Sequence, residues 1–114
     1  MLTSGDVVEL DLGVPTGREA GFHHPAVVVT AQRILDASPS VIQVVPLTST
    51  LREFASEVPI DPDGRNGLVH RSAAQCQHIR AVSAHRADRV RGNVGSVALA
   101  QIREILGLVL DLPS

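Results

Sequence analysis

Gly21-Phe22-His23-His24-Pro25-Ala26-Val27-Val28-Val29-Thr30 decides how the rest of the chain is read. Its second half is an apolar, mostly β-branched run, which predicts a strand buried on both faces. Pro25 has no N–H to give to a ladder, so it belongs at the first residue of that strand or on a sheet edge. It also pushes His24 into an extended conformation. A titratable ring therefore stands on a stiff backbone at the mouth of a core strand. On extended backbone the rings of His23 and His24 face opposite sides, which argues against an acid–base pair made of these two neighbours.

Working outward, Gly13, Pro15, Gly17 and Gly21 mark a ten-residue loop before this strand, of the kind that carries function. Ahead of the loop, Val7-Val8-Glu9-Leu10-Asp11-Leu12 alternates as a first strand, apolar at 8, 10 and 12. After the second strand, a helical turn is expected over Gln32 to Leu35, before the Ser38-Pro39 break. The β-branched run Val41 to Pro46 is a third strand and leads into three hydroxyls, Thr48-Ser49-Thr50. Ser56 to Ile60 reads as a fourth strand, closed by the turn signal Pro62-Asp63-Gly64. Further strands are expected over 67–71 and 78–82, with a turn at 72–75 and a helical turn at 83–87 leading to Val90-Arg91-Gly92-Asn93-Val94. From Ser96, a fair N-cap, Leu99, Ile102, Leu106 and Val109 recur at helical spacing. Leu108 and Leu112 widen that apolar face beyond what a solvated helix needs, which points to packing on a barrel mouth or a second subunit. Short strands plus one terminal helix make a single domain over 1–114. It is mainly β: a strongly curved antiparallel sheet or half-open barrel.

Composition narrows the class. No stretch is long and apolar enough to cross a bilayer, and the first residues have neither the basic start nor the apolar core of a signal peptide. Cys76 is alone, so it has no internal disulfide partner. The expectation is a soluble cytoplasmic protein. The net charge of −2 argues against blanket nucleic-acid affinity. Its distribution is uneven, however: residues 1–64 hold three arginines against nine acids, and residues 65–114 hold seven against three. A local phosphate-binding face and a plain solvated β-face both fit that cluster. Every base is arginine, a bias that a GC-rich genome also produces. Only Phe22 and Phe54 are aromatic, which excludes a base-stacking platform.

Several blocks together resemble the MazF/PemK (Kid) family of toxin endoribonucleases, which share an SH3-like barrel with the gyrase poison CcdB. Gly5-Asp6-Val7-Val8 resembles the family's opening strand. Residues Gly17 to Val29 are similar to its Gly-x-Glu-x-x-x-His-Arg-Pro-Ala-Val-Val signature, and Val45-Pro46-Leu47-Thr48-Ser49-Thr50 to its Val-Pro-x-Thr block. Gly67-Leu68-Val69 through His78-Ile79-Arg80-Ala81-Val82 and the closing stretch Ser96 to Leu112 complete the likeness. One position departs: where the family carries a principal catalytic Arg, this chain has His24.

The resemblance implies an SH3-like small β-barrel with a C-terminal helix. It also implies metal-independent cleavage of single-stranded RNA (mRNA, or rRNA or tRNA) at short sequences. The ribose 2′-OH attacks the adjacent phosphate and leaves 2′,3′-cyclic phosphate and 5′-OH ends. That chemistry needs a base, an acid and donors for the phosphorane's extra charge. Thr48 falls at the family's hydroxyl donor and Glu19 at the acid of the loop over the site. Imidazole exchanges protons at neutral pH far better than guanidinium but lacks its permanent charge and fork. His24 is therefore expected as base or acid, with Arg80 or Arg18 supplying the lost charge. RNA contacts are expected from Arg18, Glu19, His23, Ser49, Thr50, His78 and Arg80. Partners implied are a homodimeric second copy, RNA, and a cognate MazE-like antitoxin whose acidic tail competes for the groove. Two alternatives stay open: a CcdB-like gyrase inhibitor without enzymatic activity, and a degenerate toxin that only binds. No cofactor or metal is expected, since His23, His24 and Cys76 lack zinc-ligand spacing. A hydrolase triad around Ser72 lacks the glycines of a nucleophile elbow.

Overall fold

The computed structural model describes residues 1–11 and 23–113, His23 and Asp88 by backbone alone. Arg18, Glu19 and the loop expected over 13–22 lie outside the described residues. The strands are β1 (Asp6–Asp11), β2 (His23–Val28), β3 (Val41–Thr48), β4 (Glu57–Ile60), β5 (Ser72–Gln75), β6 (Arg80–Ser83) and β7 (Ala87–Asn93). Helices are α1 (Gln32–Leu35) and α2 (Gly95–Val109), with 3₁₀ turns at Cys76–His78 and Ala84–Arg86.

All pairings among the described residues are antiparallel, in the order β4-β5-β3-β2-β1-β7, with β6 paired to β3 off that path. Strand β3 organises the sheet. One edge pairs with β2 from Val44 to Pro46; the other pairs with β6 over Val41–Val44 and with β5 at Leu47 and Thr48. An eight-residue strand shared in this way curls the sheet into the half-open barrel that the strand spacing predicted.

Both faces of the sheet are covered, so β2 is buried on both sides. Val27 and Val29, with Val7, Val45, Leu47 and Ala74, pack under Ile102 and Leu106 of α2. Ala26 and Val28, with Val8, Leu10, Ile42 and Val44, pack under Leu35 of α1 and Val82 of β6. Period-two alternation sends neighbouring residues into two different cores. This is why adjacent Val7 and Val8 are both fully buried, where the alternation had placed only 8, 10 and 12 inward.

Four expectations are corrected. Residues 67–71 are not a strand, and Ser72–Gln75, read as a turn, is β5. The apolar pair Leu68-Val69 imitates a strand, but Leu68 is one buried anchor in an otherwise exposed segment. His78 belongs to a 3₁₀ turn and β6 begins only at Arg80. Ser96 is not the cap of α2. The helix starts at Gly95, whose N–H donates to Asn93 Oδ1 at 2.8 Å, while Asn93 Nδ2 donates to Ser4 O and Asp6 Oδ1. One asparagine thus ties together the N-terminal turn, β7 and the helix start. Val97 and Leu108 of α2 and Leu110 and Leu112 just after it are exposed, the surplus that the sequence carries. No helix among the described residues is long and apolar enough to cross a membrane.

Candidate functional site

Where β2 begins and β3 ends, the two segments singled out in the sequence meet. The β2–β3 register pairs Ala26 with Pro46; carried two residues further, it sets His24 opposite Thr48. On the other side His24 pairs with Leu10 of β1. His24 and Thr48 both line one groove of about 460 Å³, together with Pro25, Leu47 and Ser49. Its far wall is Leu68, Val69, His70, Ser72 and Arg91. Thr48 Oγ1 accepts the Thr50 N–H at 3.1 Å, which orients the hydroxyl and leaves its proton for an incoming acceptor. Thr50 itself is exposed and contributes this backbone bond rather than a groove wall.

The far wall is built by a turn. Asp63 Oδ1 accepts the N–H groups of Arg65 and Asn66, both at 2.8 Å. The buried Asn66 side chain accepts from Asp63 N and Leu68 N and donates to Asp61 O. Two glycines let this turn lie directly on β7. A Cβ on Gly67, which has φ of +68°, would sit 2.4 Å from Arg91 O, and one on Gly92 would sit 2.2 Å from Arg65 O. Only hydrogen at these positions permits that approach.

Arg91 owes its place to a β-bulge. Strand β1 pairs Val7 with Gly92 and Val8 with Val90, so Arg91 is the extra residue, and bulges re-aim side chains in this way. Its Nη1 donates to Glu9 Oε1 and its Nη2 to Gly67 O, both at 2.8 Å. Glu9 stands beside Pro25 in the β1–β2 ladder. A fixed cation therefore lies in the groove, with three of its five N–H donors uncommitted among the described residues.

Of the residues expected from sequence, the structure brings His24, Thr48 and Ser49 into this groove. His23 heads β2 opposite Asp11, with only its backbone described. Arg80 and His78 do not line the groove. Arg80 is exposed and pairs with Val44 on the half of β3 that β6 covers, and His78 is exposed in the 3₁₀ turn after β5. The cation and the second imidazole that the structure places in the groove wall are Arg91 and His70. Neither had a readable signal, since one is re-aimed by a bulge and the other sits on a wall built by a distant turn.

Two other titratable groups are shifted. Burial pushes the Cys76 thiol up to about 11, and the Glu57 charge adds to the effect. Its Sγ lies 3.8 Å from Ala74 O and Ile102 O in the α2-side core, a packing role rather than a nucleophile's. For Glu57, burial works against the charge. Hydrogen bonds from Gln77, Arg52 and Gln75 and the Arg52 charge outweigh it and hold the carboxyl below its ordinary range.

Residues 3–110 match the family described as PemK-like, MazF-like toxin of type II toxin–antitoxin system. The chain is 34% identical over 116 residues to a Mycobacterium tuberculosis protein named endoribonuclease MazF9, covering 98% of both chains. Among solved structures it resembles a mycobacterial endoribonuclease in complex with its cognate antitoxin (TM-score 0.80, 21% identity, 100% of this chain and 99% of that one). It also resembles the M. tuberculosis toxin MazF-mt6 (TM-score 0.77, 22% identity, 96% and 99% covered). A third similar fold is in the MazE–MazF complex of Deinococcus radiodurans (TM-score 0.77, 22% identity, 96% of each chain covered).

Proposed function

The chain belongs to the PemK-like, MazF-like toxins of type II toxin–antitoxin systems, and from that premise we propose that its groove cleaves single-stranded RNA without a metal. It is a toxin endoribonuclease, the activity named for its relative at 34% identity. That relative favours RNA cleavage over gyrase inhibition or a purely binding role.

The observation that carries the mechanism is one groove lined by two imidazoles, a hydroxyl and a guanidinium: His24, His70, Thr48 and Arg91. His24 takes the proton of the ribose 2′-OH as its oxygen bonds to phosphorus. The bond from phosphorus to the 5′-oxygen breaks, and that oxygen takes a proton from the His70 imidazolium. A 2′,3′-cyclic phosphate and a 5′-OH result. Charge gathering on the phosphorane oxygens is met by the Arg91 N–H donors and the Thr48 hydroxyl, fixed beforehand by their own hydrogen bonds. Arginine at position 24 would supply charge; here the ion-paired Arg91 supplies it, leaving His24 to move the proton. Ser49 binds a phosphate or ribose at the groove's edge. Arg18, Glu19 and His23 keep their roles as RNA contacts on the strength of the family likeness alone.

Partners follow from the same premise. A cognate MazE-like antitoxin blocks the groove, its acidic tail competing with RNA for Arg91. A second copy covers the exposed leucines of α2, giving a homodimer, and the toxin acts in the cytoplasm. The test is fragment-end chemistry on a mixed-sequence RNA. Wild type yields cyclic phosphate and 5′-OH ends without added metal, and His24→Ala and His70→Ala each lose cleavage by about 10²–10⁴. Unchanged cleavage by His24→Ala would remove the imidazole from the mechanism.

A further inference from the structure

A second groove, of about 270 Å³, lies over β4 and β5 and includes Glu57, Pro59, Ala73 and Arg52 among its walls. The ladders show which face it is on. Thr48 pairs with Ala73, Ala73 with Pro59, and Gln75 with Glu57. Directly paired residues share a face, and so do alternate residues of one strand. Glu57 of β4 and Gln75 of β5 therefore lie on the face that carries Thr48. Two strand spacings separate Glu57 from β3, about 10 Å, a distance on the scale of one nucleotide from its phosphate.

Glu57 is built in an unusual way. Its side chain is 2% exposed. Oε2 accepts three bonds, from Arg52 Nη2 at 2.6 Å, Gln77 Nε2 at 2.7 Å and Gln75 Nε2 at 3.3 Å. Oε1 is buried and accepts none, and Gln77 Oε1 is likewise buried and unpartnered. An ionised carboxylate only accepts, so it fixes the Gln77 amide with its N–H toward Glu57 and its oxygen turned elsewhere. The cluster thus holds two unfilled buried acceptors, and leaving such groups empty is costly; of the two residues, Glu57 is the one in the groove's wall. Of the three donors, only Arg52 comes from a segment without helix or strand, and its side chain is 39% exposed. It stacks 4.7 Å from the Phe54 ring and closes the cluster from outside.

We propose that this groove is a nucleobase subsite that selects guanine, with the two carboxylate oxygens of Glu57 accepting from its N1–H and N2 amino group once Arg52 swings out. Guanine alone among the four bases offers two adjacent donors on its pairing edge; adenine, cytosine and uracil each oppose an acceptor of their own to one of the two oxygens. The inference rests on the RNA-cleaving reading above and names the base it prefers beside the cleaved phosphate.

The test uses the full chain and short 2′-deoxy oligonucleotides, which lack the attacking hydroxyl, carrying a single guanine or a single hypoxanthine. Hypoxanthine differs only by loss of the N2 amine. Wild type should bind the guanine strand more tightly by roughly five- to hundredfold, and Glu57→Gln, which replaces one acceptor by a donor, should erase most of that ratio. Arg52→Ala should keep the ratio, and if Glu57→Gln does not fold, Glu57→Asp, which draws the carboxylate back from the base, decides by losing it. Equal affinity of wild type for both strands overturns the proposal, as does an unchanged ratio in a folded Glu57→Gln, which would make the cluster a site for buried water. Displacement by an arginine-bearing peptide with no base preference would also overturn it and assign the acceptors to a protein partner. His24→Ala should lose cleavage yet keep the guanine ratio, which separates failure of the nuclease mechanism from failure of base selection.

Discussion

Replacing Arg91 by Met removes a cation from the groove while keeping much of the side chain's bulk, and its two consequences can be measured apart. In the folded protein the guanidinium bonds Glu9 and the Gly67 carbonyl at 2.8 Å each, with 27% of Arg91 and 19% of Glu9 exposed. A charge-assisted bond of this burial contributes about 1.5–3 kcal/mol, and partial solvent screening lowers that. The variant should therefore lose about 1–2.5 kcal/mol in urea unfolding, most of it from the stranded Glu9 carboxylate. Cleavage of mixed-sequence RNA should fall further, by about 10²–10³, as when a preorganised donor to a developing oxyanion is removed. Glu9→Gln separates the two: it weakens the anchor but keeps the cation, so stability should fall by about 1 kcal/mol and cleavage by less than about tenfold. Arg91→Lys keeps a point charge but not the fork and should fall between them. Wild-type cleavage by Arg91→Met, with stability reduced as expected, would refute the argument that this guanidinium carries the phosphorane's charge.

Gly92→Ala should be destabilising by about 1–3 kcal/mol or more in urea unfolding, because the added methyl meets the Arg65 and Asn66 backbone. Cleavage should fall with it, since the far wall of the groove rests on that approach. Ile102→Ala should lower the unfolding free energy by about 2–5 kcal/mol and leave the cleavage pattern of the folded fraction unchanged, because Ile102 is fully buried on the core face of α2. On acidification, Glu57 contributes stability that is present above its unfolded value near 4.5 and is lost as pH falls through its lower folded value; Glu57→Gln should flatten that part of a stability–pH curve. On the alkaline side the sign reverses. The unfolded thiol of Cys76 ionises near 9.0 and the folded one near 11, so the unfolded state gives up its proton first. Stability should drop across that interval by about 2–3 kcal/mol, and Cys76→Ala should remove the drop.

Local pattern was enough for much of the fold. The run Ala26-Val27-Val28-Val29 announces a strand buried on both faces, and the period change near residue 96 announces α2, because alternation and helical spacing are set by neighbours along the chain. The same holds for Gln32–Leu35, found where a helical turn was expected. Segment 67–71 misled because a short apolar pair looks alike in a strand and in a loop that buries one anchor. Which strand follows depends on the Asn66 turn and on glycines pressed against β7.

The candidate site divides along the same line. His24, Thr48 and Ser49 were legible because each stands at a strand end marked by its own neighbours, the proline after one and the run of hydroxyls around the others. Arg91, His70 and the Glu57–Gln77 pair were not. They reach their places through a bulge in β7, a turn laid on that strand, and ladders joining β4, β5 and β3. Sequence alone determined which strand ends carry a titratable ring and a hydroxyl, since that is written in adjacent residues. Only the tertiary structure decided which cation and which second imidazole face them, since a one-residue shift in register re-aims a side chain and no single strand's composition records its partner's register.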